Sequence, residues 1–231
     1  MGGECVQNSM RKIFHENGLS IVFIGAFLLI WVGQAAAGFF AYNAEQLEHG
    51  QPVVDFLGYV GSSHFLEATM ENWESEFLQM FAFIVLTACL FQKGSAESKK
   101  LDGPEPVDRD PRKSRNKKDA PWPVRKGGVT LKLYEYSLSL VFLLLFAASF
   151  ILHAVGGAKE YNQEQLEHGS NEVVSTLEYM GTPQFWFESL QNWQSEFLAV
   201  AAMVVLSIFL RQRGSPESKP VDSPHSETGS E

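Results

Sequence analysis

Four stretches are apolar for almost their whole length, and no other feature restricts the folding of this chain as much. Residues 19–40 contain only Ser20, Gln34 and small residues among large apolar side chains, and residues 138–155 contain only Ser139, Ser149 and His153. Residues 77–91 and 197–210 are also free of charge. A bilayer core of about 30 Å is crossed by about 20 helical residues. The first and third stretches reach that length, and the second and fourth do so if their helices begin near Trp73 and Trp193. Uncharged blocks of this length read as membrane spans rather than buried helices of a soluble core. The overall hydrophobic fraction of 45% and mean hydropathy of -0.08 conceal them, because polar segments separate the blocks.

Arg11, Lys12, the first apolar run and Ala35-Ala36-Ala37 together have the form of a secretory signal with a small-residue cleavage site. The run is long for a signal, and its counterpart in the second half is internal, so the expectation is a retained span.

That counterpart belongs to an internal repeat. Residues 42–50, Tyr-Asn-Ala-Glu-Gln-Leu-Glu-His-Gly, recur at 161–169 with one substitution, at an offset of 119. After one inserted residue the offset becomes 120, and Asn72-Trp73 and Ser75-Glu76-Phe77-Leu78 match Asn192-Trp193 and Ser195-Glu196-Phe197-Leu198. Each half therefore holds one apolar run, a loop and a second run. The predicted fold is an all-α integral membrane protein of four transmembrane helices, built as two tandem parallel two-helix repeats. The expected boundaries are 1–93 for the first hairpin, 94–128 for a basic linker, 129–213 for the second hairpin and 214–231 for a tail.

Charge orients the hairpins. Of 18 Lys and Arg, two precede the first run, twelve lie between Lys93 and Lys132, three follow the last run, and only Lys159 lies elsewhere. The positive-inside rule then places both termini and the linker on the cytoplasmic side of the membrane. Loops 42–72 and 161–191 fall outside. Two hairpins of equal orientation should be related by a pseudo-two-fold axis along the membrane normal. Pro, Lys, Arg and Asp dominate the linker, and Ser, Pro and Glu the tail, so both are expected to be disordered. The linker's basic residues could attract anionic headgroups, but read better as topology determinants. A net charge of -9 argues against nucleic acid as a partner.

In the outer loops, Thr182-Pro183 has the form of an N-cap followed by proline at the first helical position, which predicts helix starts near 63 and 183. Residues 45–49 and 164–168 suggest short polar helical turns ended by Gly50 and Gly169. Trp73, Trp193, Tyr59 and Tyr179 suit an outer aromatic belt, the two tryptophans as interface anchors.

Few residues invite chemistry. Counting inward from the loop side puts Glu76 and Glu196 roughly 5–8 Å inside the bilayer, and ionisable groups at such depth are functional candidates. Gln34 and His153 match at the repeat offset and fall at a similar depth, so the four residues form a candidate polar layer. A His–Glu pair there would titrate near neutrality, since each group shifts the other. Hydrogen bonds that fix helix register would give the same pattern. Glu48-His49 and Glu167-His168 form a candidate outer-loop site for pH sensing or a partner. No metal site and no cofactor is expected: Cys5 and Cys89 lack ligand spacing, and no phosphate-binding glycine loop or nucleophile elbow occurs.

The paired Asn-Trp-x-Ser-Glu-Phe-Leu segments at 72–78 and 192–198, with basic-Gly-Ser-x-Glu-Ser-Lys at 93–99 and 213–219, carry a resemblance to a family of uncharacterised bacterial membrane proteins. Ala96 stands where the second copy has Pro216. The resemblance implies a bacterial inner-membrane protein of unknown activity and supplies no catalytic residue. Three function classes follow. The first is a structural or accessory envelope protein whose outer loops bind a membrane or periplasmic partner or a second copy. The second is a small proton or cation pathway through the polar layer. The third, an intramembrane enzyme, is the least supported.

Overall fold

In a computed structural model that describes residues 2–167, 169 and 173–229, the protein is all-helical among those residues. A long helix, α1 (Gly2–Glu48), leads through short α2 (Phe56–Val60) into α3 (Ser63–Cys89). The linker carries two 3-10 turns and the short helices α4 (Trp122–Lys126) and α5 (Gly128–Glu135). The long–short–long order then returns as α6 (Ser137–Glu167), α7 (Thr176–Tyr179) and α8 (Pro183–Phe209).

Three helices, α1, α6 and α8, are long and apolar enough to cross a membrane. Helix α3 is as long as α8, 27 residues each, but carries Glu67, Glu71, Glu74 and Glu76 in its first half.

Local chemistry sets the helix ends. Ser62 and Thr182 cap α3 and α8, each hydroxyl accepting from the N–H three residues on, and α8 has proline at its first position, so both helices begin where the Thr-Pro pattern predicts. The polar turns expected at 45–49 and 164–168 are not separate elements: as far as Glu48 and Glu167 they continue α1 and α6. Beyond these helix ends Gly50 and Gly169 take φ of +69° and +78°, a region that glycine enters without steric cost. Each loop is then clamped by an asparagine. The Asn43 side chain bonds both the N–H and the carbonyl of Val54 (2.9 and 3.0 Å), and Asn162 does the same to Val174 (2.7 and 2.9 Å).

Two aromatic cores of matching composition sit under these loops. Ala35, Tyr59 and Phe65 are buried in one, and Ala154, Tyr179 and Phe185 occupy the corresponding positions of the other. Helix α1 packs on α3 through Phe27, Trp31, Phe65 and Trp73, and α6 on α8 through Phe150, Phe185 and Trp193. The closest helix pair joins the two halves: α3 lies against α6, and α8 is next nearest to α3. A Cβ built on Gly156 would lie 3.0 Å from the backbone nitrogen of Glu67. Only a glycine lets the two backbones approach so far.

Where the linker and tail compositions predict disorder, the structure draws folded-back turns. Lys99 pairs with Asp108 at 2.9 Å, and the Lys219 ammonium donates to the carbonyls of Pro224, His225 and Glu227. The tail meets the end of α3 through Gly94 N–H to Thr228 (2.8 Å) and Gly229 N–H to the Ser95 carbonyl (2.9 Å).

Candidate functional site

Helical spacing assembles a polar site where α3, α6 and α8 meet. Glu67, Glu71 and Glu74 are four and three residues apart and share one face of α3. His153 comes from α6, Glu188 and Asn192 from one face of α8, and Tyr179 from α7. The close α3–α6 approach at Gly156 and Gly157 brings these side chains within reach of one another.

His153 is fully buried, as is Glu74. Its Nδ1 lies 3.0 Å from Glu74 Oε2, and its Nε2 lies 3.4 Å from Glu188 Oε2. The other oxygen of Glu74 accepts from the indole N–H of Trp193 at 3.1 Å. The Tyr179 hydroxyl donates to Glu188 at 2.6 Å and lies 3.4 Å from Glu67 Oε1. Burial first, then the bond to Glu188, push the Tyr179 pKa above its ordinary value, so the hydroxyl remains a donor. Asn192 donates to Glu71, Gln184 to Glu188, and Ser63 to Glu160 at 2.8 Å. A cavity of about 250 Å³, lined by Glu67, Glu71, Tyr179 and Glu188 with His64 and Gly157, opens the site at the loop end.

The composition of the site decides what it can do. Carboxylates from Glu67, Glu71, Glu74 and Glu188 gather near the His153 imidazole, Glu160 bonds Ser63 beside them, and none of the bonds just described comes from Lys or Arg. Such a density of carboxylates away from bulk water is stable only with added positive charge, as protons or as cations.

The expected polar layer is only partly brought together. His153 takes part, but its carboxylate partners are Glu74 and Glu188 rather than Glu76 and Glu196. The reason is helical phase: two residues along α3 turn a side chain by about 200°. Glu76 is accordingly exposed, and Glu196 is half-buried, with the Gln79 amide 3.5 Å from its backbone carbonyl. Gln34 is half-buried on α1. Trp73 packs among Phe27, Trp31 and Phe77, whereas Trp193 serves Glu74. In the outer-loop pair, Glu48 is exposed and His49 bonds the Glu45 carbonyl through Nδ1 at 3.0 Å. The Glu167 side chain and His168 lie outside the described residues.

A signal for the missed residues was present, as departures from the repeat. Glu67, Glu71 and Glu74 stand opposite Phe187, Gln191 and Gln194; Glu188 stands opposite Ala68, Glu160 opposite Ala41 and His153 opposite Gln34. The shared residues build the scaffold, while the carboxylates and the imidazole of the site are the unshared ones.

Comparison with known families supplies the remaining observation: the model of a domain of unknown function, DUF6766, matches residues 10–230. The chain belongs to the DUF6766 family. No curated protein and no solved structure matches it. For this DUF6766 protein, the expected membership of an uncharacterised family is therefore met, and its activity has to be argued from the site.

Proposed function

We propose that this DUF6766 protein is a four-span membrane protein, with cytoplasmic termini, that passes protons or small cations through the site joining its two halves. The observation that carries the reading is the buried His153 held between Glu74 and Glu188, beside a cavity rich in carboxylates. Ionisable groups are rare inside membranes and mark pathways when they face other helices rather than lipid. Glu67, Glu71 and Glu74 bond partners on α6, α7 and α8, which supports α3 as the fourth span despite its charges. The distribution of Lys and Arg supports the orientation, which puts the cavity on the outer side. A second cavity, of about 260 Å³ between α3 and α8, runs from Gln79 past Thr87 to Glu97. Its walls are mostly apolar, with Gln79, Thr87, Gln92, Glu97 and Ser98 among them, and it reaches toward the cytoplasmic end. There Glu97 has a buried carboxylate oxygen without a hydrogen-bond partner.

The test is proton flux into proteoliposomes under an imposed membrane potential, with an internal pH dye. Wild type is expected to conduct above protein-free vesicles, and Glu67→Gln/Glu188→Gln to fall to their level. Folded, inserted wild type that conducts no faster than empty vesicles would return the protein to a partner-binding role for its repeated loops.

A further inference from the structure

We infer that His153, Glu67 and Glu188 form a binding site for a divalent transition-metal ion, which would name the cation class of the site proposed above and rests on that reading. One potential ligand atom from each residue lies within 4.8 Å of the other two. Two ligands of one tetrahedral ion, each about 2.0–2.2 Å from it, sit roughly 3.3–3.6 Å apart. The 3.4 Å between His153 Nε2 and Glu188 Oε2 has that value, and it is longer than the usual 2.7–3.2 Å of an N–H···O hydrogen bond.

The surroundings of the imidazole point the same way. Nδ1 faces Glu74, whose second oxygen is fixed by the Trp193 indole. A histidine that donates from one ring nitrogen to a carboxylate presents the lone pair of the other, and this carboxylate–histidine pair is the usual support behind a metal-bound imidazole. With its proton on Nδ1, the ring presents the lone pair of Nε2 toward Glu188 Oε2, and either a second ring proton or a metal ion between the two atoms would satisfy both. Glu67 completes a one-nitrogen, two-carboxylate set. The cavity on the Glu67 and Glu188 side leaves room for water as a further ligand. Imidazole with carboxylates suits zinc, manganese, iron(II) or cobalt(II) more than magnesium or calcium, which favour oxygen alone.

Cobalt(II) is the probe. Tag-free full-length protein in detergent, stripped of metal, is titrated with Co²⁺ and followed by its visible d–d absorption. Wild type is expected to bind a single stoichiometric ion with a tetrahedral or five-coordinate spectrum that Zn²⁺ abolishes. Glu67→Gln/Glu188→Gln and His153→Gln should lose the spectrum, and Glu76→Gln, at the exposed position, should keep it. Glu74→Gln acts only through His153 and should weaken binding about 10–100-fold. Helical circular dichroism and a single elution peak establish that each variant is folded. Folded wild type without the spectrum, or a spectrum unchanged in folded Glu67→Gln/Glu188→Gln, would overturn the metal site. Cobalt binding without any cation flux would keep the site and discard the pathway; proton flux without cobalt binding would do the reverse.

Discussion

His153→Leu is expected to destabilise the folded bundle by about 1–3 kcal/mol or more, the cost of leaving a buried hydrogen-bonding group without its partner. Glu74 has no exposed surface, so its carboxylate cannot turn to water when the imidazole goes. The Trp193 indole would remain its one bond among those described above. The penalty belongs to the stranded carboxylate rather than to the contact itself, and this makes a double variant informative. His153→Leu/Glu74→Leu removes both polar groups and fills the space with apolar volume, a change that is often neutral or stabilising. The double variant is therefore expected to recover most of the loss. Equilibrium unfolding in mixed micelles, run as a double-mutant cycle, measures the coupling. Strictly additive costs would show that the two residues do not act as a pair.

Gly156→Val is expected to produce the second large effect, a loss of about 1–3 kcal/mol or more from overpacking. The added Cβ would sit 3.0 and 3.1 Å from the backbone N and Cα of Glu67. Backbone cannot swing aside as the end of a flexible side chain can, so α3 and α6 must separate. The same displacement draws Glu67, Glu71 and Glu74 away from His153. A cobalt spectrum lost together with stability would be the combined signature. Gly33→Ala is the control, because a Cβ at that position would meet nothing within 4 Å. Its helix should gain up to about 1 kcal/mol from intrinsic propensity alone. Gly156→Val with unchanged stability would contradict the close α3–α6 packing.

Much of the scaffold was legible in the residues. The apolar runs mark α1, α6 and α8 because hydropathy over about 20 residues is a strong signal. Thr182-Pro183 marks the start of α8 because a cap and its proline are local chemistry. The site was harder to see. Depth counted along the apolar runs singles out Glu76 and Glu196, which the two halves share. The residues that gather around His153 are those where the halves differ. Helical phase then separates Glu74 from Glu76, and this needs the direction in which α6 lies, which no periodicity in α3 supplies. The folded-back tail was illegible for another reason: Lys219 is held by backbone carbonyls, which every residue possesses.

The carboxylate–histidine site is expected to lie inside a membrane bundle and to be reached by water from the outer side. Reaction of Glu71→Cys with a membrane-impermeant maleimide tests it most directly, in right-side-out vesicles of a Cys5→Ser/Cys89→Ser background, with Ser114→Cys in the linker as reference. Glu71 lines the loop-end cavity. Glu71→Cys is expected to be labelled from outside in sealed vesicles, and Ser114→Cys to react only after permeabilisation. Labelling of Ser114→Cys in sealed vesicles, or a Glu71→Cys that reacts only after they are opened, would contradict it.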